Sequence, residues 1–208
     1  MNQDIIEKAA DFSLWIYENP QTFDFYQQID DLRFGYKTIG DTVFFAVRGS
    51  DNFKNWVRNF RIYPRYFSGC GLVHWGFGAA ASKIWKNSKN SLRNFQKDGK
   101  RIVFCGHSAG VIGLLLQQRA RKSIKNLESL FVGFGCPKPF YRFSSGIKGT
   151  VILCQIDDDP VIKLPGGIFF RHRFSEKIFK TDPGFLSVND HEMEKYRENF
   201  RGVKNDDS

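Results

Sequence analysis

The sequence predicts a single α/β domain over residues 1–208, with a mostly parallel sheet covered by helices on both faces. Three observations carry this expectation. Strand-like apolar runs alternate with longer stretches at helical spacing, the order of a layered sheet-and-helix fold. The runs "RIVFC", "SLFVGF" and "TVILCQ" are continuously apolar, as strands buried on both faces are. No linker-like composition divides the 208 residues, and that length can bury a core without disulfides or metals.

Taken in order, Asp4 with Glu7 marks a helix start, and Ile5, Ile6, Ala9, Phe12 and Leu14 to Ile16 follow at roughly helical spacing. "FGYKTIGDTVFFAVRG" reads as two strands turning at Gly40-Asp41. Residues 74–97 are helical, and Gly99 punctuates their end. "RIVFC" is a buried strand, Ala109 to Lys122 a helix, and "SLFVGF" and "TVILCQ" further strands. "FFRHRF" and "EKIFK" read as an edge hairpin, and "HEMEKYRENF" as a final helix. In such a sheet, chemistry is expected at the carboxyl ends of the strands.

Composition narrows the class. Apolar content of 41% and charged content of 25% fit a globular protein. The net charge is +9 but uneven. Residues 1–31 hold seven acids and one base, so the remainder carries a surplus of 15 positive charges. Such a body attracts anionic surfaces, among them lipid headgroups and nucleic acid. No helix-turn-helix, RNA-binding signature or zinc finger supports nucleic acid as the partner. Cys70, Cys105, Cys136 and Cys154 match no CxxC metal site, and three of them lie in or beside apolar, strand-like runs, where a free cysteine behaves as a small buried hydrophobe. The acidic amphipathic start is unlike a signal peptide, and Ala109 to Leu116 is too short to span a bilayer. The expectation is a protein kept in a reducing compartment, cytoplasmic or peripheral at a membrane surface.

Gly106-His107-Ser108-Ala109-Gly110 is a G-x-S-x-G sequence between a strand and a helix. The chain reverses within a few residues, and the two glycines remove Cβ atoms that would collide. Ser108 is thereby forced into an unfavourable backbone region and stands at the tip, beside the Ala109 N–H and the helix N-terminus. A serine hydroxyl needs a base, and the base needs an orienting carboxylate. Two histidines follow Ser108. His172 lies between two arginines in an alternating strand, whereas His191 lies where a loop enters the last helix, the better position for a projecting side chain. For the acid, Asp157, Asp158 and Asp159 are all placed after a strand; Pro160 biases Asp159 toward extended geometry. His107 reads as a packing and hydrogen-bonding residue of the turn.

These segments together resemble the class 3 lipases, the α/β-hydrolase group of the fungal triacylglycerol lipases. The resemblance covers about residues 40 to 196. It rests on "FFAVRGSDNFKNWVRNF", "VHWGFGAA", "GHSAG", "FGCPKPF", "DPVIKLP" and "DHEMEKY" in the family's order. It implies an α/β-hydrolase-like fold and a carboxylic ester hydrolase acting on acylglycerols or phospholipids without a metal or cofactor. It makes Ser108 the nucleophile, Asp159 the orienter and His191 the base. Ser50 takes the place of the oxyanion-hole serine, acting with the Ala109 amide, and His74 that of a supporting histidine. The chain departs from the family at Val111, where a second glycine is usual.

The resemblance also makes residues of about 51–68 a lid. Phe53, Trp56, Val57 and Phe60 recur at i, i+3, i+4 and i+7, with Lys54, Arg58, Arg61 and Arg65 falling largely elsewhere on the helix. Tyr63, Tyr66 and Phe67 follow around Pro64. The segment reads as an interfacial amphipathic element suited to peripheral contact with an anionic membrane. Two alternatives stand beside a lipid esterase: a thioesterase or short-chain esterase with the same triad, and a catalytically silent hydrolase fold that binds an anionic membrane or nucleic acid. The sequence leaves the oligomeric state open.

Overall fold

The computed structural model describes residues 3–48, 63–141, 147–165, 170–172, 176–180 and 191–200. A helix α1 (Gln3–Glu18) precedes three strands, β1 (Phe25–Ile29), β2 (Leu32–Ile39) and β3 (Thr42–Val47). Strands β4 (Pro64–Phe67) and β5 (Gly71–His74) lead into helix α2 (Trp75–Lys97). Strand β6 (Arg101–His107) then feeds helix α3 (Ile112–Ser123) through a 3-10 turn at Ser108–Val111. The chain continues through β7 (Ser129–Phe134), β8 (Phe140–Tyr141) and β9 (Thr150–Ile156), then β10 (Phe170–Arg171), β11 (Glu176–Lys180) and helix α4 (Met193–Phe200).

The main sheet has the order β1-β2-β3-β6-β7-β9-β11. Its first three strands are antiparallel neighbours, and from β3 outward every pair is parallel. Because side chains alternate across a strand, each central strand feeds two cores. Phe44, Ala46, Val103, Cys105, Leu130 and Val132 pack on one face with Ile6, Phe12 and Ile16 of α1 and Tyr196 and Phe200 of α4. Phe45, Val47, Ile102, Phe104 and Phe131 pack on the other with Phe77 and Ile84 of α2 and Leu114 and Leu115 of α3. Each fully buried side chain of this size contributes about 1.5–3 kcal/mol relative to exposure. The expected sheet, mostly parallel and covered on both faces, is therefore the one found.

The individual elements follow the same logic, with three differences. "FFRHRF" and "EKIFK" do not form a hairpin. Strand β10 pairs antiparallel with β8, while β11 pairs in parallel with β9 at the edge of the main sheet. A period-two pattern identifies a strand but not its partner. A second, antiparallel sheet of order β10-β8-β5-β4 was not expected. Its strands are two to four residues long; β4 and β5 form a local hairpin, but β8 and β10 join them only through distant pairing. Strand β1 was likewise missed, since "FYQQI" has no apolar run and all five of its residues are at least partly exposed.

Helix α2 begins at His74, whose Nδ1 accepts the Gly76 N–H at 3.2 Å. It ends at Gly99, whose φ of +68° suits a residue without Cβ. All four cysteines are free and buried. Among the described residues no helix is long and apolar enough to cross a membrane.

Candidate active site

Strand β6 delivers the chain to Ser108, which holds φ at +57°. That left-handed conformation costs a serine on the order of 1–2 kcal/mol, so the surroundings must enforce it. A Cβ on Gly106 would lie 2.7 Å from the Val47 carbonyl oxygen and 2.8 Å from the Gly110 Cα. One on Gly110 would lie 2.7 Å from the same Val47 oxygen. The two glycines thus let the end of β3, the end of β6 and the turn meet backbone to backbone. The Ser108 hydroxyl is buried and has no hydrogen-bond partner among the described residues, so a Ser108–His191 bond is not closed in this conformation. Such bonds are commonly long in unliganded enzymes and tighten with substrate.

The three adjacent acids separate by environment. Asp157 is exposed and Asp158 half-buried, whereas Asp159 is fully buried. Asp159 caps the 3-10 turn Pro160–Lys163, its Oδ1 accepting the Val161 N–H at 2.8 Å. Its Oδ2 lies 2.8 Å from His191 Nδ1 and accepts the Tyr196 hydroxyl at 2.6 Å. A carboxylate only accepts, so Nδ1 of a neutral His191 carries the ring proton and Nε2 offers its lone pair. The imidazole also lies against the elbow: the rings of His191 and His107, the residue before Ser108, are 4.6 Å apart. It is His191 rather than His172 that meets the acid. The His172 ring lies 3.4 Å from the Ile162 carbonyl oxygen and 3.4 Å from the Gln155 amide nitrogen.

Sequence reasoning assigned no role to two residues of this cluster. Tyr196 is wholly buried in α4; its hydroxyl donates to Asp159 and accepts the Ile156 N–H at 3.2 Å. Burial first, and then the adjacent Asp159, push its phenol well above the usual range, so it stays a donor. Its position five residues after His191, on a helix that starts at the site, was the available signal. Gly135, at φ +53°, is the other. A Cβ there would stand 2.8 Å from Asp159 Oδ2 and 3.0 Å from the Tyr196 ring. His107 packs between Tyr17, His191 and Tyr196, as expected, while its Nε2 has no hydrogen-bond partner among the described residues. Burial, with His191 beside it, holds its pKa well below the ordinary value and keeps it neutral. His74 supports the start of α2, and burial lowers its pKa to about 4.

Ala109 borders a cavity of about 300 Å³ whose apolar walls are Leu32, Trp75, Ala79, Ala80 and Ile112. Arg48, Asp31 and the Asp30–Lys83 ion pair, 2.6 Å long, complete its lining. Beside His107, Glu18, Glu192 and Glu194 line a second recess, so carboxylates stand on both flanks of the elbow.

The remaining sequence expectations fall elsewhere. Ser50, Phe53, Lys54, Trp56, Arg58, Phe60 and Arg61 lie outside the described residues. The last part of the expected lid, Pro64–Phe67, is strand β4, paired antiparallel with β5. Phe67 is buried there, while Tyr63 and Tyr66 are 71% and 65% exposed.

A model of the family described as Lipase (class 3) matches residues 44–165. A secreted mono- and diacylglycerol lipase of Fusarium solani is 29% identical over 142 residues, covering 63% of this chain and 42% of that protein. The chain thus spans less than half the length of this relative. The crystal structure of a lipase from Rhizopus microsporus var. chinensis superposes with a TM-score of 0.70 at 16% identity, over 86% of this chain and 76% of that one. The Rhizomucor miehei triacylglyceride lipase does so with a TM-score of 0.65 at 17% identity, over 83% and 76%.

Proposed function

The chain belongs to the class 3 lipase family, and from that premise we propose that it hydrolyses carboxylic esters of lipids through an acyl-enzyme on Ser108. The observation that carries the reading is the buried Asp159–His191 contact of 2.8 Å beside a serine held at positive φ. Acylglycerols are the favoured substrates, in keeping with the name of the Fusarium relative and with the apolar cavity beside Ala109.

His191 Nε2 takes the hydroxyl proton as Ser108 Oγ attacks the ester carbonyl carbon, forming a C–O bond and placing the carbonyl electron pair on oxygen. Asp159 keeps the imidazole oriented and stabilises its cation. The Ala109 and Ser50 amides receive the oxyanion; one such donor is typically worth about 10²–10³ in rate. Collapse expels the alcohol, which takes the proton from His191 and leaves acylated Ser108. A water molecule, deprotonated by His191, then attacks the acyl carbon; the acyl–Oγ bond breaks, Ser108 Oγ takes the proton back from His191, and the fatty acid leaves.

We further infer peripheral encounter with an anionic lipid surface. The surplus of positive charge beyond residue 31 and the exposed rings of Tyr63, Tyr66 and Trp75 support it, since aromatic side chains with a polar edge favour the headgroup region.

A fluorophosphonate probe followed by peptide mapping tests the chemistry without requiring the right substrate. Labelling is expected at Ser108, absent in Ser108→Ala, and accompanied by hydrolysis of p-nitrophenyl esters by the wild type only. Equal ester rates in the two proteins would favour a catalytically silent fold.

A further inference from the structure

Helix α3 has the elbow at its amino end and a second cavity at its carboxyl end, about 16 Å away at 1.5 Å per residue. This cavity of about 490 Å³ is lined by Tyr66, Gly69, Gly71, Gln118, Arg121, Lys122 and Lys148. Three of these residues are cationic and none is acidic. Among the described residues none of the three cations forms an ion pair with a carboxylate.

The lining is held in place rather than loosely hung. Arg121 Nη1 donates to the Leu127 and Ser129 carbonyls at 3.3 and 3.5 Å, and among the described residues its other N–H groups make no further side-chain bond. Gly149 lies against the guanidinium so closely that a Cβ would be 2.9 Å from Arg121 Cζ. The Gln118 amide grips the Lys148 backbone through two bonds of 2.9 Å, one to its N–H and one to its carbonyl. Gly69, at φ +100°, seats the β4–β5 turn on α3, where a Cβ would be 2.7 Å from the Gln118 carbonyl oxygen.

We propose that this cavity is a binding site for a phosphate-bearing anion. A guanidinium with two flanking ammonium groups matches a multiply charged tetrahedral oxyanion better than a single carboxylate, which one arginine would satisfy. The volume exceeds that of a bare phosphate and leaves room for what the phosphate is attached to. The site is distinct from the catalytic mouth, where Asp30 and Asp31 offset Lys83 and Arg48 on one flank and Glu18, Glu192 and Glu194 line the other, so the described lining there carries no surplus of positive charge. The phosphate belongs either to a lipid headgroup or to a soluble species, and the assignment of the site stands independently of the hydrolase reading.

The test compares wild type with Lys122→Ala/Lys148→Ala, and with the charge-keeping Lys122→Arg/Lys148→Arg. Thermal melts are recorded in sodium phosphate against sodium chloride of matched ionic strength. Sedimentation is measured with phosphatidylcholine vesicles, with and without phosphatidic acid, and hydrolysis of a short soluble ester controls for folding. The wild type should show a saturable phosphate-dependent rise in Tm, or preferential sedimentation with phosphatidic acid, or both. The alanine pair should weaken the response about tenfold or more, the arginine pair should keep it, and ester hydrolysis should be unchanged in both. A response to free phosphate alone identifies a soluble ligand, and a response to vesicles alone a headgroup. No response in the wild type to either, or an undiminished one in the alanine pair, would overturn the proposal.

Discussion

Asp159 accepts three donors, and each shapes what a substitution would do. Tyr196→Phe leaves both the Asp159 carboxylate and the Ile156 N–H short of a buried partner, at a cost of about 1–3 kcal/mol in stability. Its effect on rate should appear in kcat more than in KM, because the tyrosine positions the acid and does not reach the ester. Steady-state kinetics on a soluble ester, beside a urea melt, would separate the two losses. Gly135→Ala is the sharper test. The added methyl would stand 2.8 Å from Asp159 Oδ2 at a positive φ, so the carboxylate must move or the backbone must strain. We expect destabilisation of about 1–3 kcal/mol. Activity should fall at least about tenfold, an unaltered rate in a folded Gly135→Ala protein being the result that counts against a role for the Asp159 position. The serine and its two glycines were legible in the sequence, because a strand, a G-x-S-x-G turn and a helix are contiguous. Asp159 and His191 were legible through chain order and family pattern. Tyr196 and Gly135 stood in the sequence only as members of "DHEMEKY" and "FGCPKPF"; their roles were not legible, since these exist only once α4 and the end of β7 close on the same carboxylate.

Helix α2 carries a pH dependence. His74 caps it with an unprotonated Nδ1, and burial lowers the histidine's pKa from 6.5 to about 4. Between those values the unfolded chain binds a proton that the folded chain refuses. Stability from this residue is therefore full above about pH 6.5 and is lost as pH falls toward 4, by up to about 3 kcal/mol. Buried His107 acts in the same direction. His74→Asn keeps a capping side chain without the titration. Urea melts between pH 7.5 and 4.5 should show a shallower acid loss in the variant, even where lost packing against Phe77 and Phe170 lowers its stability at neutral pH. Elements with their own periodicity, such as α2, β6 and β7, were readable from sequence. The small sheet was not, because its strands are two to four residues long and β8 and β10 acquire their identity from partners dozens of residues away. In the same way "EKIFK" announced a strand without announcing that it would extend the parallel edge.

Across the whole molecule, the cavity beside Ala109 sets a size limit on the acyl group if it receives it. Ala80 is buried in its wall, and Ala80→Phe would fill much of about 300 Å³. Hydrolysis of p-nitrophenyl octanoate should then fall about tenfold or more in kcat/KM while the acetate ester changes little, since each methylene in such a pocket is worth about 1–3 kcal/mol. A uniform loss across the chain-length series would place the acyl group elsewhere. The four cysteines have a different use. Burial raises every one of their thiols, Cys105 to about 12 and Cys70, Cys136 and Cys154 well upward. Only a thiolate reacts readily with an alkylating agent. Native protein should therefore ignore iodoacetamide, and each modification should mark a moment when the packing around that thiol has opened. Counting alkyl groups by mass over time would turn four inert sulfur atoms into a clock for unfolding, read without a dye, a tag or a substrate.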